Sequence, residues 1–327
     1  MNVSEAVLRM NEMGKMGIPF LFVFDFLMNH PIVCPVDEID PENMQFFLRR
    51  KTGNPDYSQP MPELPVFEIE PPSRIAYEES FNKVMHHLQR GDSYLLNLTM
   101  PVHIKTNLSL KEIYLLSKAP YKLWIKDRFT VFSPEPFVRI RDGKIFSYPM
   151  KGTLDATIPD AVNILLNNEK ELAEHYTIVD LIRNDLSMVS EQVRVEKFRF
   201  VEEITTIKGR LLQTSSLISG RLPENYVNHI GDLIIKLLPA GSISGAPKKR
   251  TVEIILDAEQ YERGYYTGVF GIFDGTGLDS AVMIRYIEQT PQGLIFKAGG
   301  GITVNSNMQQ EYDELVSKVY LPVEANP

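Results

Sequence analysis

Cysteine is almost missing: Cys34 is the only one in 327 residues. One thiol excludes an intrachain disulfide framework and suits a reducing compartment, so a cytoplasmic protein is expected. Positive charge is in deficit too, with 34 Lys and Arg against 42 Asp and Glu and a formal net charge of −8. That leaves no basic footprint for nucleic acid, and an anionic ligand would need a locally positive pocket. Long apolar runs are lacking as well. The run IPFLFVFDFLM (18–28) is too short to span a bilayer and contains Asp25, so it reads as a buried strand. The first seventeen residues mix Glu5, Arg9, Glu12 and Lys15, with no signal-peptide cleavage pattern after them. Neither nucleic acid nor membrane is expected as a partner.

What is present describes an ordinary globular protein: 43% hydrophobic and 23% charged residues, enough to bury a large core. The proline cluster from Pro60 to Pro72 reads as a surface crossing within one fold, so residues 1–327 are expected to form a single domain. Tyr77 to Arg90 reads as a helix stopped by Gly91, followed by a strand over 93–104 and a helix over 109–118. Strands are expected at LWI, FTVFS, FVRIR and KIFSYP, the last two joined by the turn signal Asp142-Gly143. A helix over 159–186, interrupted near Asn167-Asn168, precedes strands near 193–219 and a helix over 224–237. Strands and helices without regular βαβ alternation predict an α+β fold rather than a doubly wound sheet.

Two acidic pairs stand out. Glu171 and Glu174 share one face near the start of an amphipathic helix, its apolar positions being Leu172, Ile178, Val179, Ile182 and Leu186. Glu311 and Glu314 repeat the spacing in GGGITVNSNMQQEYDELVSK, with Lys318 one turn on. Two such pairs could together hold a hard cation such as Mg²⁺. A solvated helix face is the alternative for each.

Four ordered blocks carry a resemblance: AEH-x3-VDLIRNDL, PAGSISGAPKKRTVEII (239–255), GYYTGVFG (264–271) and AGGGITVNSNMQQEYDELVSK (298–318). Together they are similar to the chorismate-utilising enzymes, a family that includes anthranilate synthase component I, aminodeoxychorismate synthase component I, and the isochorismate and salicylate synthases. The match covers roughly residues 75–320. It implies two stacked antiparallel β-sheets flanked by helices, as in anthranilate synthase component I, with a cleft between them.

The resemblance also implies roles. Lys151, in Pro149-Met150-Lys151-Gly152-Thr153, resembles the covalent nucleophile of members that aminate C4 of chorismate; anthranilate synthases usually have alanine there. A lysine nucleophile must be deprotonated, and a departing hydroxyl needs a proton, for which Glu135 in Ser133-Pro134-Glu135 matches the general acid. Glu174 and Glu314, supported by Glu171 and Glu311, would hold Mg²⁺ against the ring carboxylate. His175 would pack or support that site, while Asp180, Arg183, Asn184 and Asp185 would position the helix. Arg285, Lys318 and Tyr266 match substrate contacts, and Gly300 and Gly301 would let backbone N–H groups approach an anion. Ser244, Gly245, Ala246 and Thr153 match further pocket positions, and Gln213 stands where relatives commonly have histidine.

Leu95 departs from the pattern in GDSYLLNLT (91–99). The amino-transferring branch usually has glutamine there and the water-adding enzymes a lysine, so water addition is disfavoured. Cys34 lies in no glycine-flanked elbow, so the ammonia is expected from a separate glutamine amidotransferase subunit. A distinct lyase would then release 4-aminobenzoate for folate. Only APY (119–121) resembles the tryptophan pocket of longer relatives, so no tryptophan feedback is expected. The expected reaction is amination of chorismate to 4-amino-4-deoxychorismate. The alternatives are anthranilate synthesis, against which Lys151 argues, and a non-catalytic binding relative, which Leu95 and Gln213 favour.

Overall fold

Every residue of Phe20–Phe24 is buried, so this apolar strand must be covered on both faces. The computed structural model, which describes residues 1–49, 51–52, 65–206 and 209–322, shows how. Phe20, Phe22 and Phe24 share a core with Ala6, Met10 and Met13 of the Val3–Met16 helix. Leu21 and Val23, pointing the other way, pack with Phe46, Leu123 and Val131 of a second sheet. Asp25 ends the strand: its carboxylate accepts the N–H groups of Asn29 at 3.1 Å and His30 at 2.7 Å.

The two sheets are antiparallel throughout and stack face to face, with helices outside, as the α+β reading requires. The first sheet runs in the order Met150–Asp155, Gly209–Arg221, Lys144–Ser147, Pro136–Arg141, Leu278–Val282, Val269–Phe273, Phe20–Phe24, Ile32–Pro35, and Glu191–Thr206 also pairs with Gly209–Arg221. In the second the order is Gly245–Ala246, Leu95–Thr106, Gly293–Ile302, Tyr286–Thr290, Phe129–Ser133, Tyr121–Ile125, Met44–Leu48, Lys51–Thr52, with Phe67–Glu70 on Leu95–Thr106. Ile178, Val179, Ile182 and Leu186 seat the Glu169–Ser187 helix on the first sheet. Helices Arg74–Gln89, Lys248–Ala258 and Met308–Ser317 cover the second.

Local chemistry sets the helix starts. Asn168 caps Glu169–Ser187 by accepting the Glu171 N–H at 3.0 Å, which separates it from the Ala161–Leu166 helix at the expected break. Asn307 caps Met308–Ser317 in the same way, through the Gln310 N–H at 3.2 Å. Both acidic pairs therefore sit in the first two turns of capped helices, where the helix dipole favours negative charge. Of the expected proline-rich crossing, residues 60–64 lie outside the described residues, and the remainder carries the Phe67–Glu70 strand. Among the described residues no helix is long and apolar enough to cross a membrane.

Candidate active site

Lys151 stands on the edge strand Met150–Asp155, where the pairing with Gly209–Arg221 shifts by one residue between Lys151 and Thr153. The extra residue is Gly152, at φ 74. A β-carbon there would lie 3.1 Å from Glu171 Oε2 and 3.2 Å from Leu165 Cδ1, so both backbone angle and space favour glycine. The bulge turns the Lys151 side chain towards the acidic helix. Its Nζ reaches Glu174 Oε2 at 3.4 Å, with the two side chains 22% and 12% exposed.

The glycine run brings the second acidic helix to the same place. A β-carbon on Gly301 would lie 3.3 Å from Lys151 Nζ and 3.1 Å from Leu95 Cδ1. One on Gly300 would lie 3.4 Å from Lys318 Nζ, 3.6 Å from Glu311 Oε2 and 3.8 Å from Glu314 Oε1. Lys318 donates to the Gly299 carbonyl at 2.8 Å and pairs with Glu314 at 2.7 Å. Bare backbone thus forms a floor on which two ammonium groups converge.

Glu135 faces the same cations. Burial pushes its carboxyl above the ordinary range, and a hydrogen bond from Ser242 and the charges of Lys151, Arg285 and Lys318 offset this in part. Burial likewise pulls the Lys318 ammonium down, opposed by Glu314, while Arg285 and Lys151 add to the lowering. Three cations and one carboxyl therefore share one neighbourhood. Arg285 holds a left-handed backbone, φ 53, and its Nε donates to the Tyr320 hydroxyl at 3.3 Å. Tyr266 is buried against Tyr286, ring centroids 5.9 Å apart, and burial raises its phenol while Arg263 and Arg285 lower it.

Other expected residues serve the scaffold here. The Ser244 hydroxyl donates to the Ala240 carbonyl at 2.8 Å, inside its own helical turn. Gly245 has φ 132, and a β-carbon there would come within 1.9 Å of the Leu95 carbonyl oxygen, so it permits strand pairing. The Ala246 carbonyl accepts the Ser93 hydroxyl and the Tyr94 N–H, each at 2.8 Å. Thr153 is exposed opposite Gln213, one residue past the bulge. Sequence reasoning missed Ser242. GSIS offers two serines, and nothing in the string says which hydroxyl turns to Glu135.

His175 is fully buried, its Nε2 2.7 Å from the Ser216 hydroxyl. Burial, then Arg199 and Lys151, pull it to about 4, so the ring is neutral and fastens the acidic helix to the strand beside Lys151. Asp185 pairs with Lys248 at 3.0 Å, a buried strut of the expected kind, whereas Asp180 and Arg183 form an exposed pair.

Among the described residues no three acidic, histidine or cysteine side chains converge closely enough to hold a metal ion. Lys151 holds Glu174, Lys318 holds Glu314, and Glu311 accepts the Ser306 hydroxyl at 2.7 Å. The donors still fit Mg²⁺ in kind. They are hard carboxylate oxygens at helix starts, and glycine leaves open the space that Glu311 and Glu314 face.

A site in which Lys151, Lys318 and Arg285 meet carboxylates over bare backbone glycine can hold an anion together with a cation, and the kinship of the chain agrees. The profile of the chorismate binding enzymes matches residues 40–324, and the chain belongs to that family. An uncharacterized PabA-like protein of Haemophilus influenzae is 53% identical over 314 residues, 96% of this chain and 95% of that protein. Aminodeoxychorismate synthase component 1 of Klebsiella aerogenes is 34% identical over 262 residues, 76% of this chain and 57% of that protein. The fold is that of anthranilate synthase component I from Streptococcus pneumoniae, with a TM-score of 0.68 and 21% identity over 91% of this chain and 88% of that one.

Proposed function

We propose that this protein aminates chorismate at C4: chorismate and ammonia give 4-amino-4-deoxychorismate and water. The observation that carries this reading is the meeting of Lys151, Arg285 and Lys318 around Glu135. Arg285 and Lys318 would bind a dicarboxylate, while Glu135, its carboxyl raised by burial, is the group placed to give a proton. Attack needs the free amine, so Lys151 must first lose its ammonium proton to solvent and leave the pair with Glu174. Lys151 Nζ then bonds to ring C2, both ring double bonds shift towards C4, and the C4 hydroxyl departs as water with the proton from Glu135. Ammonia adds at C4, both double bonds shift back, Lys151 leaves C2 as the amine, and the proton released by the new C4 ammonium returns to Glu135. Glu174 and Glu314, with Glu171 and Glu311, would hold Mg²⁺, which would neutralise the ring carboxylate. The Leu95 side chain beside Lys151 carries no base to activate water, which supports amination over hydroxylation.

The ammonia would come from a separate glutamine amidotransferase subunit. The test is product identity: purified protein with chorismate, Mg²⁺ and excess ammonium near neutral pH, with and without an aminodeoxychorismate lyase. 4-Aminobenzoate forming only with the lyase is the expected result. Anthranilate would overturn the assignment in favour of the other nitrogen-adding reaction, and isochorismate would show that water enters despite Leu95.

A further inference from the structure

Behind the cleft lies a buried ion pair that the proposed chemistry leaves unused. The side chains of Arg263 and Glu259 are each 2% exposed, joined at 2.6 Å between Nη2 and Oε1 and at 2.8 Å between Nε and Oε2. Taking two charges out of water is costly, and such a pair persists only where the remaining donors and acceptors are met. Here they are. Nη2 also donates to the Asn97 carbonyl at 2.6 Å, and Nη1 donates to the Ile243 carbonyl at 3.4 Å and the Thr267 hydroxyl at 3.2 Å. Every N–H of the guanidinium fork is thereby used. Glu259 Oε1 in turn accepts the Thr99 N–H at 2.8 Å and the Thr99 hydroxyl at 2.9 Å.

Each partner belongs to a different wall of the cleft. Asn97 and Thr99 are the register partners of Gly301 and Gly299. Ile243 lies between Ser242, which bonds Glu135, and Ser244. Thr267 follows Tyr266 in a left-handed backbone, φ 61, and its N–H donates to the Met283 carbonyl at 2.8 Å, two residues before Arg285. A β-branched residue in that conformation is strained and persists only when its surroundings over-determine it. Apolar filler could bury the same volume but could not fix three walls in register, because dispersion has no direction.

We propose that Arg263, braced by Glu259, is a positioning residue: one guanidinium sets the glycine floor, the Ser242 turn and the Tyr266 turn relative to one another. The effect on substrate rests on the proposed function; the mechanical coupling does not. The experiment compares the parent with Arg263→Lys, which keeps the charge but loses the planar fork. Amide hydrogen exchange is expected to speed up together in segments 95–101, 241–246 and 264–268, with the Val3–Met16 helix unchanged. The chorismate KM should rise about tenfold, with a smaller fall in kcat. Uniformly faster exchange with KM unchanged would make the pair merely structural and overturn the proposal, as would no change at all. If Arg263→Lys does not fold, Thr267→Val removes the hydroxyl that accepts from Arg263 and donates to the Tyr266 carbonyl. It should loosen 264–268 and raise KM, and unchanged exchange there overturns the proposal equally. A parent that neither binds nor converts chorismate would refute the reaction, while the exchange pattern would still decide the coupling.

Discussion

Replacing Lys151 with alanine removes the atom proposed to bond to C2, and turnover of chorismate should fall by roughly a thousandfold or more. The melting temperature should hold, because Lys151 lies on an edge strand; chromatographic product assay and a thermal melt separate the two readouts. Glu135→Gln keeps size and hydrogen bonding but cannot release a proton, and kcat should drop on the order of 10²–10⁴-fold. In the parent, activity should decline as pH rises through the elevated Glu135 value, and a pH–rate profile of the glutamine variant should lack that limb. His175 acts on stability with a definite sign. Its folded value of about 4 lies below its ordinary 6.5, so between these the unfolded chain binds a proton that the folded chain refuses. Stability is full above pH 6.5 and declines as pH falls to about 4, by about 3 kcal/mol for this group. Urea titrations at pH 7 and pH 4.5 should show that loss in the parent and much less of it in His175→Gln. At this scale the sequence singles out Lys151 and Glu135, because Lys-Gly-Thr and Ser-Pro-Glu are distinctive strings, and the fold brings their charges within reach of each other. Ser242, Ser244 and Thr153 were not legible, since whether a small polar side chain meets the cleft or its own helix depends on a rotation that no string encodes.

Elements were legible where local chemistry decides them. Asn168 announces its helix, and Ser109 with Glu112 forms a capping box in which each side chain satisfies the other's backbone N–H. The bulge at Gly152 was not, because a glycine after a strand lysine equally suits a turn; the left-handed backbone and the nearness of Glu171 and Leu165 show why glycine is favoured there. Gly245 tests an element directly. Alanine there would set a β-carbon against the Leu95 carbonyl at φ 132, so Gly245→Ala should lower stability by about 3 kcal/mol or more, read as a lower urea midpoint. Leu95 would shift with its strand, so any surviving protein should also bind chorismate less tightly.

Over the whole molecule, a chain of net charge −8 concentrates three cations in one cleft. Raising ionic strength from about 0.05 M to 0.5 M should therefore increase the chorismate KM several-fold, because partly open charges are screened over a few ångströms at high salt. A chelator should abolish turnover and added Mg²⁺ restore it; turnover that survives chelation would remove the metal from the proposal. Composition and spacing pointed to α+β, but not to the pairing of Phe20–Phe24 with Val269–Phe273, since nothing local links segments so far apart.

That pairing bears on how the protein comes into being. Phe20 meets Phe273 and Phe24 meets Val269, so a strand made early, though it can pair at once with Ile32–Pro35, must wait for most of the chain before its other neighbour exists. Contacts of such separation close slowly, and an apolar strand left without its partners is prone to the wrong ones. During synthesis Phe20, Phe22 and Phe24 can shelter against the Val3–Met16 helix, which is amphipathic and already made. Leu21 and Val23 are covered more slowly, because of the residues packed with them Phe46 follows soon but Leu123 and Val131 come later and Phe270 and Ile272 later still. The nascent chain thus carries one guarded face and one that is covered only as the second sheet is made, and that second face is where a chaperone would bind.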